Sequence, residues 1–122
     1  MLLISDSNVF IDFDCCGLLT ELFALPENIA VPNILFYEEL EEQHSELTDL
    51  GLMLLEVSDV GVDYAQALKR EFNQPSVNDL LALSLAREQD CPLVTGDGSL
   101  RVVAKREKVA MKDRMSIGKS GR

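Results

Sequence analysis

The chain has 122 residues, of which 47% are apolar and 26% charged, and a formal net charge of −10. That length and balance fit one globular domain with its own core, and exclude a disordered, fibrous or membrane-spanning chain. Three cysteines (Cys15, Cys16, Cys91) and a single histidine (His44) argue against a structural zinc site; an odd number of thiols points to the reducing cytoplasm.

The elements follow in order. Met1 to Ser5 is an apolar run too short for a helix, and reads as a buried strand; with no basic region followed by a long apolar stretch, neither a signal peptide nor a membrane span is expected. Asp6-Ser7-Asn8 then supplies capping side chains for a turn or helix beginning at Val9. Gly17 to Leu25 has helical spacing, stopped by Pro26. Ile29-Ala30-Val31 is a second strand. Pro32 and Asn33 open a helix to about Ser45 or Asp49, with Ile34, Leu35 and Leu40 available for its buried side.

Leu52 to Val57 is the third strand and Asp59 to Phe72 a helix. Ser76-Val77-Asn78-Asp79 has the form of a capping box with Asp in place of Glu or Gln, opening a central apolar helix to about Glu88. Leu93-Val94-Thr95 is a strand, Gly96-Asp97-Gly98 a sharp turn, and Ser99 the cap of a basic helix through Arg106. Val109-Ala110-Met111 is a last short strand. Strands alternating with helices predict a three-layer α/β/α sandwich around a mainly parallel sheet of about four to five short strands.

Charge is divided unevenly. Residues 1–60 hold thirteen acidic residues and no Lys or Arg, whereas residues 99–122 hold eight basic residues against two acidic ones. An acidic chain does not bind nucleic acid by charge alone, but a basic end permits local phosphate contact or docking of a charged partner. Within this pattern four carboxylates stand at element ends: Asp6 after the first strand, Glu39 on a helix, Asp79 in a first helical turn and Asp97 after a late strand. Each has a plain alternative role as a cap, a turn former or part of a solvated face. Parallel strands would open all four onto one crevice, where mutual repulsion favours either protonation or a bound cation.

These residues resemble the PIN domain (PilT N-terminal) nucleases, which include VapC-type toxins. The resemblance covers residues 1–109. Its motifs correspond to Leu3-Ile4-Ser5-Asp6-Ser7-Asn8-Val9, to Val31-Pro32 with Tyr37-Glu38-Glu39-Leu40, to Ser76-Val77-Asn78-Asp79-Leu80-Leu81-Ala82-Leu83, and to Leu93-Val94-Thr95-Gly96-Asp97. In the second motif the acidic residue directly before Leu favours Glu39 over Glu38. Where relatives continue into a last strand and an apolar helix, residues 110–122 are instead polar and basic, with the composition of a disordered tail.

The resemblance implies a ribonuclease in which Asp6, Glu39, Asp79 and Asp97 hold Mg²⁺ or Mn²⁺, an RNA substrate, an antitoxin partner in a type II toxin–antitoxin pair, and a homodimer. An oxygen-only donor set suits such hard cations. Asn8 and Thr95 are candidates to hold the carboxylates by hydrogen bonds, and Arg101, Lys105 and Arg106 to position the RNA backbone. Helix capping, strand propensity and surface solubility are the respective alternatives. His44 is expected on a helix surface, and Cys15 and Cys16 as small packed groups.

Two other functions compete. A phosphorylatable signal receiver also gathers acids at strand ends, but expects paired acids after the first strand, an acceptor Asp after a middle strand and a late-strand Lys; here Ser7 follows Asp6, no Asp follows the third strand until Asp59, and Asp79 sits on a helix. The altered C-terminus favours the second alternative, a catalytically impaired PIN-like protein used for binding or dimerisation. Gly118-Lys119-Ser120 is not a phosphate loop, since no strand precedes it and no helix follows.

Overall fold

The computed structural model describes residues 2–112. Met1 and the polar, basic residues 113–122, expected to be disordered, lie outside the described residues.

Five short strands, β1 (Leu2–Ser5), β2 (Asn28–Pro32), β3 (Met53–Leu55), β4 (Leu93–Val94) and β5 (Met111–Lys112), form one sheet in the order β3-β2-β1-β4-β5. Every pairing is parallel, with Leu3 opposite Ile29, Ala30 opposite Met53, Ile4 opposite Leu93 and Leu93 opposite Met111. Parallel strands need crossovers, and here the chain supplies helices. In β1, Leu3, Ile4 and Ser5 are all buried, so helices cover both faces and the strand reads as a continuous apolar run rather than an alternating one. The α/β sandwich expected from the sequence is the observed architecture.

The helices are α1 (Ser7–Cys15), α2 (Leu19–Phe23), α3 (Asn33–Leu35), a π-helical turn (Phe36–Leu40), α4 (Glu41–His44), α5 (Glu46–Leu50), α6 (Asp59–Glu71), α7 (Val77–Gln89) and α8 (Gly98–Arg106). Helix α7 is the hub. Its residues Leu80 to Ala86 are all buried, because it packs on β1, β2 and β4 while α3, α6 and α8 cover its other sides. Helices α6 and α7 approach closely at Gly61, whose carbonyl accepts a 2.8 Å hydrogen bond from the buried Ser84 hydroxyl. Helix α5 ends at Gly51, where a φ of 123° is accessible only to glycine at little cost.

Several boundaries depart from the sequence reading. The long helix after Pro32 is interrupted by the π turn, and Ile34, expected on its buried side, is 42% exposed. The physical reason is spacing. Leu35 and Leu40 are five residues apart, out of phase for a 3.6-residue period, and the wider π turn, closed by the Glu41 N–H to the Phe36 carbonyl, brings both into the core with Phe36. The cap of α8 is Asp97, not Ser99: the Ser99 N–H and hydroxyl both donate to Asp97 Oδ1, at 3.0 and 2.9 Å. The last strand is Met111–Lys112, two residues later than expected, because the turn through Lys108 (φ 60°) still belongs to the end of α8.

Candidate active site

The strand order reverses between β1 and β4. The chain builds outward from β1 through β2 to β3, then returns to place β4 and β5 on the opposite side. The crevice at the carboxyl ends of such strands is the usual ligand position in an open α/β sheet. Asp6 follows β1 directly and Asp97 lies three residues beyond β4, so the topology alone brings these two together.

Asp6 is completely buried. It caps α1 through a 3.3 Å hydrogen bond from the Val9 N–H to Oδ1, while the Thr95 hydroxyl donates to Oδ2 at 2.5 Å. Thr95 Oγ1 also accepts from the Asp97 N–H at 3.0 Å, so one buried threonine sets the spacing of both acids. Asp79 completes the capping box of α7: the Ser76 hydroxyl accepts from the Asp79 N–H, and Asp79 Oδ2 accepts from the Ser76 N–H. The box fixes the carboxylate at the start of α7, where its charge acts on Asp6.

Glu39 sits in the π turn, exposed but held from two sides. The Ser7 hydroxyl donates to its Oε1 at 2.7 Å, and the Asn78 amide donates to its Oε2 at 2.7 Å. The same Asn78 amide reaches Glu38 Oε1 at 3.0 Å. Thus α1, the π turn and α7 are stitched together around Glu39, whereas Glu38 is held at one oxygen only. π turns inserted in helices recur at functional sites, and this one aims Glu39 across the crevice.

Electrostatics confirm the proximity. Burial is the largest influence on Asp6 and raises its pKa to about 6; the Thr95 hydrogen bond opposes this, and the charges of Asp79 and Asp97 raise it further. Asp79 is also raised, first by burial and then, against its Ser76 hydrogen bonds, by the charges of Asp97 and Glu39. The four acids therefore repel one another across a shared space.

The donor chemistry fits a hard divalent cation: carboxylate and hydroxyl oxygens without imidazole or thiolate. In this conformation each carboxylate is turned toward a protein donor, and among the described residues no group of three or more His, Cys, Asp or Glu side chains stands ready to ligate a metal. Binding an ion would require these side chains to swing toward it.

The remaining predicted positions divide. Thr95 is a central brace. Asn8 is exposed at the start of α1, and among the described residues it makes no hydrogen bond to the cluster; Ser7 and Asn78 do that work. Asn78, one residue before Asp79 in the first helical turn, carries no sequence signal that sets it apart from an ordinary polar residue at a helix start. Arg106 is bound to Glu71 and Glu107 and lies over the Phe72 ring at 4.6 Å, clamping α8 to α6. Glu107 also accepts from the Tyr64 hydroxyl, which with Arg106 holds its pKa down. Arg101 and Lys105 are exposed on α8. His44, expected at the surface, is mostly enclosed, its side chain 13% exposed beside Asp14 and Glu46. Cys15 and Cys16 are exposed rather than packed, because α1 turns only Ser7, Val9 and Phe10 inward. Cys91 is half-buried, and burial raises its thiol pKa.

No protein-family model and no curated protein matches the sequence. The fold does match solved structures. A chain of the VapBC2 complex from Rickettsia felis, bound to a DNA fragment from their promoter, superposes with a TM-score of 0.62 at 22% identity, covering 93% of this chain and 98% of that one. A chain of a toxin–antitoxin complex from Klebsiella pneumoniae gives 0.56 at 19% identity, covering 78% and 86%. The chain has the PIN-like fold that its motifs resembled.

Proposed function

We propose that this chain is a Mg²⁺- or Mn²⁺-dependent endoribonuclease and the toxin of a type II toxin–antitoxin pair, acting in the cytoplasm. The observation that carries the reading is the gathering of Asp6, Glu39, Asp79 and Asp97 at the switch point of a PIN-like sheet, where burial first and the neighbouring acids second raise the pKa values of Asp6 and Asp79. The likeness to chains of toxin–antitoxin complexes supports an antitoxin protein as partner. The three unpaired cysteines agree with a reducing compartment, and among the described residues no helix is long and apolar enough to cross a membrane.

The four carboxylates would hold the ion, directly or through water; when bound it supplies positive charge to offset the phosphodiester and to activate water for hydrolysis. The protein's own contribution is placement. Thr95 holds Asp6 and the Asp97 backbone in one register. Ser7 and Asn78 restrain an otherwise mobile Glu39, and the Ser76 box restrains Asp79. Restraint of this kind lowers the ordering cost at the moment of reaction. Without a cation, the same acids repel an RNA phosphate.

A non-catalytic binding module is the competing reading, favoured by the commitment of every carboxylate to a protein donor. Cleavage of single-stranded RNA with Mn²⁺ present, absent in EDTA and in Asp6→Asn and Asp97→Asn, supports the nuclease; Mn²⁺ binding without cleavage by the wild type supports the module. Growth arrest on expression in bacteria, lost in Asp6→Asn, tests the toxin role.

A further inference from the structure

A second feature lies beside the carboxylates. Between the end of α6, the α6–α7 loop and the start of α8 runs a groove of about 560 Å³, lined by Phe72, Asn73, Gln74, Pro75, Ser99 and Val102 among others. Its volume falls within the range of small-molecule sites, roughly 300–1,000 Å³. Both walls begin at the acid cluster. Gln74-Pro75 leads into Ser76 and the box around Asp79, and Gly98-Ser99 follows directly from Asp97. A polymer with a phosphate at the acids therefore has its next residue at the groove.

We propose that this groove seats the base of one nucleotide of a single-stranded RNA, next to the phosphate that is cut; the inference rests on the nuclease reading above. The groove has the parts a base requires. Its apolar surface comes from Val102, 63% exposed, and from Phe72, one face of which is covered by the Arg106 guanidinium. Its polar rim comes from the exposed side-chain amides of Asn73 and Gln74, which among the described residues make no hydrogen bond. Paired donors and acceptors of this kind suit a base edge.

The groove is also firm. Lys69 Nζ donates at 2.8 Å to the carbonyls of both Asn73 and Pro75, fixing the loop, and Pro75 is buried. Glu71, which also lines the groove, is paired with Arg106, and the outer lip adds a cation for a sugar–phosphate chain. Lys105 stands one helical turn beyond Val102 on the same exposed face of α8. The opening segment of the chain, with thirteen acidic residues and no basic ones in residues 1–60, offers no comparable path.

The test uses the full chain and a pool of short single-stranded RNAs of randomised sequence. With Mn²⁺, the wild type is expected to show a base preference at one position flanking the cut. Asn73→Ala with Gln74→Ala, both exposed, should flatten that preference by about tenfold while cleavage persists, the scale of losing one to two hydrogen bonds. An unchanged preference in the double variant overturns the inference and leaves the nuclease reading standing. A second arm does not depend on cleavage. Side-chain amide resonances of Asn73 and Gln74 and the Val102 methyls are followed by NMR in the wild type, with Mg²⁺ and one short RNA built with hydrolysis-resistant linkages. Shifts concentrated at these groups support the site even where the wild type cuts nothing. RNA-induced shifts elsewhere, or shifts produced only by an added amphipathic peptide, overturn it.

Discussion

Replacing Asp6 with Asn should make the metal-free protein more stable while disarming its site. Asp6 is completely buried, and its pKa stands at about 6 against an ordinary 3.8. Holding it ionised above that pH costs the native state about 3 kcal/mol. Asparagine removes the charge but has one acceptor oxygen where Asp6 accepts at two, from the Val9 N–H and the Thr95 hydroxyl, a loss of about 1 kcal/mol. The net gain at pH 7.5 in EDTA is about 2 kcal/mol, or a rise in melting midpoint of roughly 6–10 °C for a chain of this size. The sign also fixes the pH window. A carboxyl raised in the folded state contributes full stability below its unfolded value, and loses it as pH rises through the folded value. The advantage of the variant should therefore be absent below about pH 4 and fully open above about pH 6. Calorimetric or fluorescence melts across that range read it directly. A variant no more stable than wild type at pH 7.5, or an advantage that persists to pH 4, would show that the buried Asp6 charge does not destabilise the fold.

Other expectations concern the supports of the site and the packing beneath it. Asn78→Ala releases Glu39 and Glu38 from α7, and should reduce Mn²⁺ affinity while changing the melting midpoint little, which parallel metal titration and melting would show. Ser7→Ala removes the other restraint on Glu39 at a cost of about 1 kcal/mol in stability, measurable by urea unfolding. At Gly61 an added Cβ would lie 2.7 Å from Val57 Cγ1 and 1.9 Å from Glu88 Oε1. Glu88 is exposed and can swing away, but Val57 is buried. Gly61→Ala should therefore lower stability by about 1 kcal/mol despite better helix propensity. Glu107 has a lowered pKa, through Tyr64 and then Arg106. Its contribution should be present above its ordinary value of 4.5 and fade as pH falls below it, a dependence that Tyr64→Phe should shrink in acid melts.

Much of the fold could be read from the residues because local and global signals agree. The run Leu2-Leu3-Ile4 is apolar on both faces, as a central parallel strand must be, and Ser76 with Asp79 forms the capping box that its spacing promised. Three acids were likewise visible from their places after β1, at the start of α7 and after β4. What the sequence concealed depends on nonlocal geometry. No helical period reveals that Leu35 and Leu40 share a face, since only a π turn makes it so. The braces on Glu39 come from residues 32 and 39 positions away, so Ser7 and Asn78 could not be told from ordinary helix-start polar groups. Arg106 illustrates the converse. Its charge suggested RNA, but Glu71 lies beside it only once α6 and α8 are packed.

The claim on which the proposed chemistry depends is that these acids hold a divalent ion together. Titration of Mn²⁺ into the full chain at pH 7.5, followed by electron paramagnetic resonance, tests it in wild type, Asp6→Asn and Asp79→Asn. Saturable binding by the wild type is expected, with an affinity at least about tenfold lower in each variant, as loss of one carboxylate ligand would give. Equal Mn²⁺ affinity in all three proteins would contradict that claim.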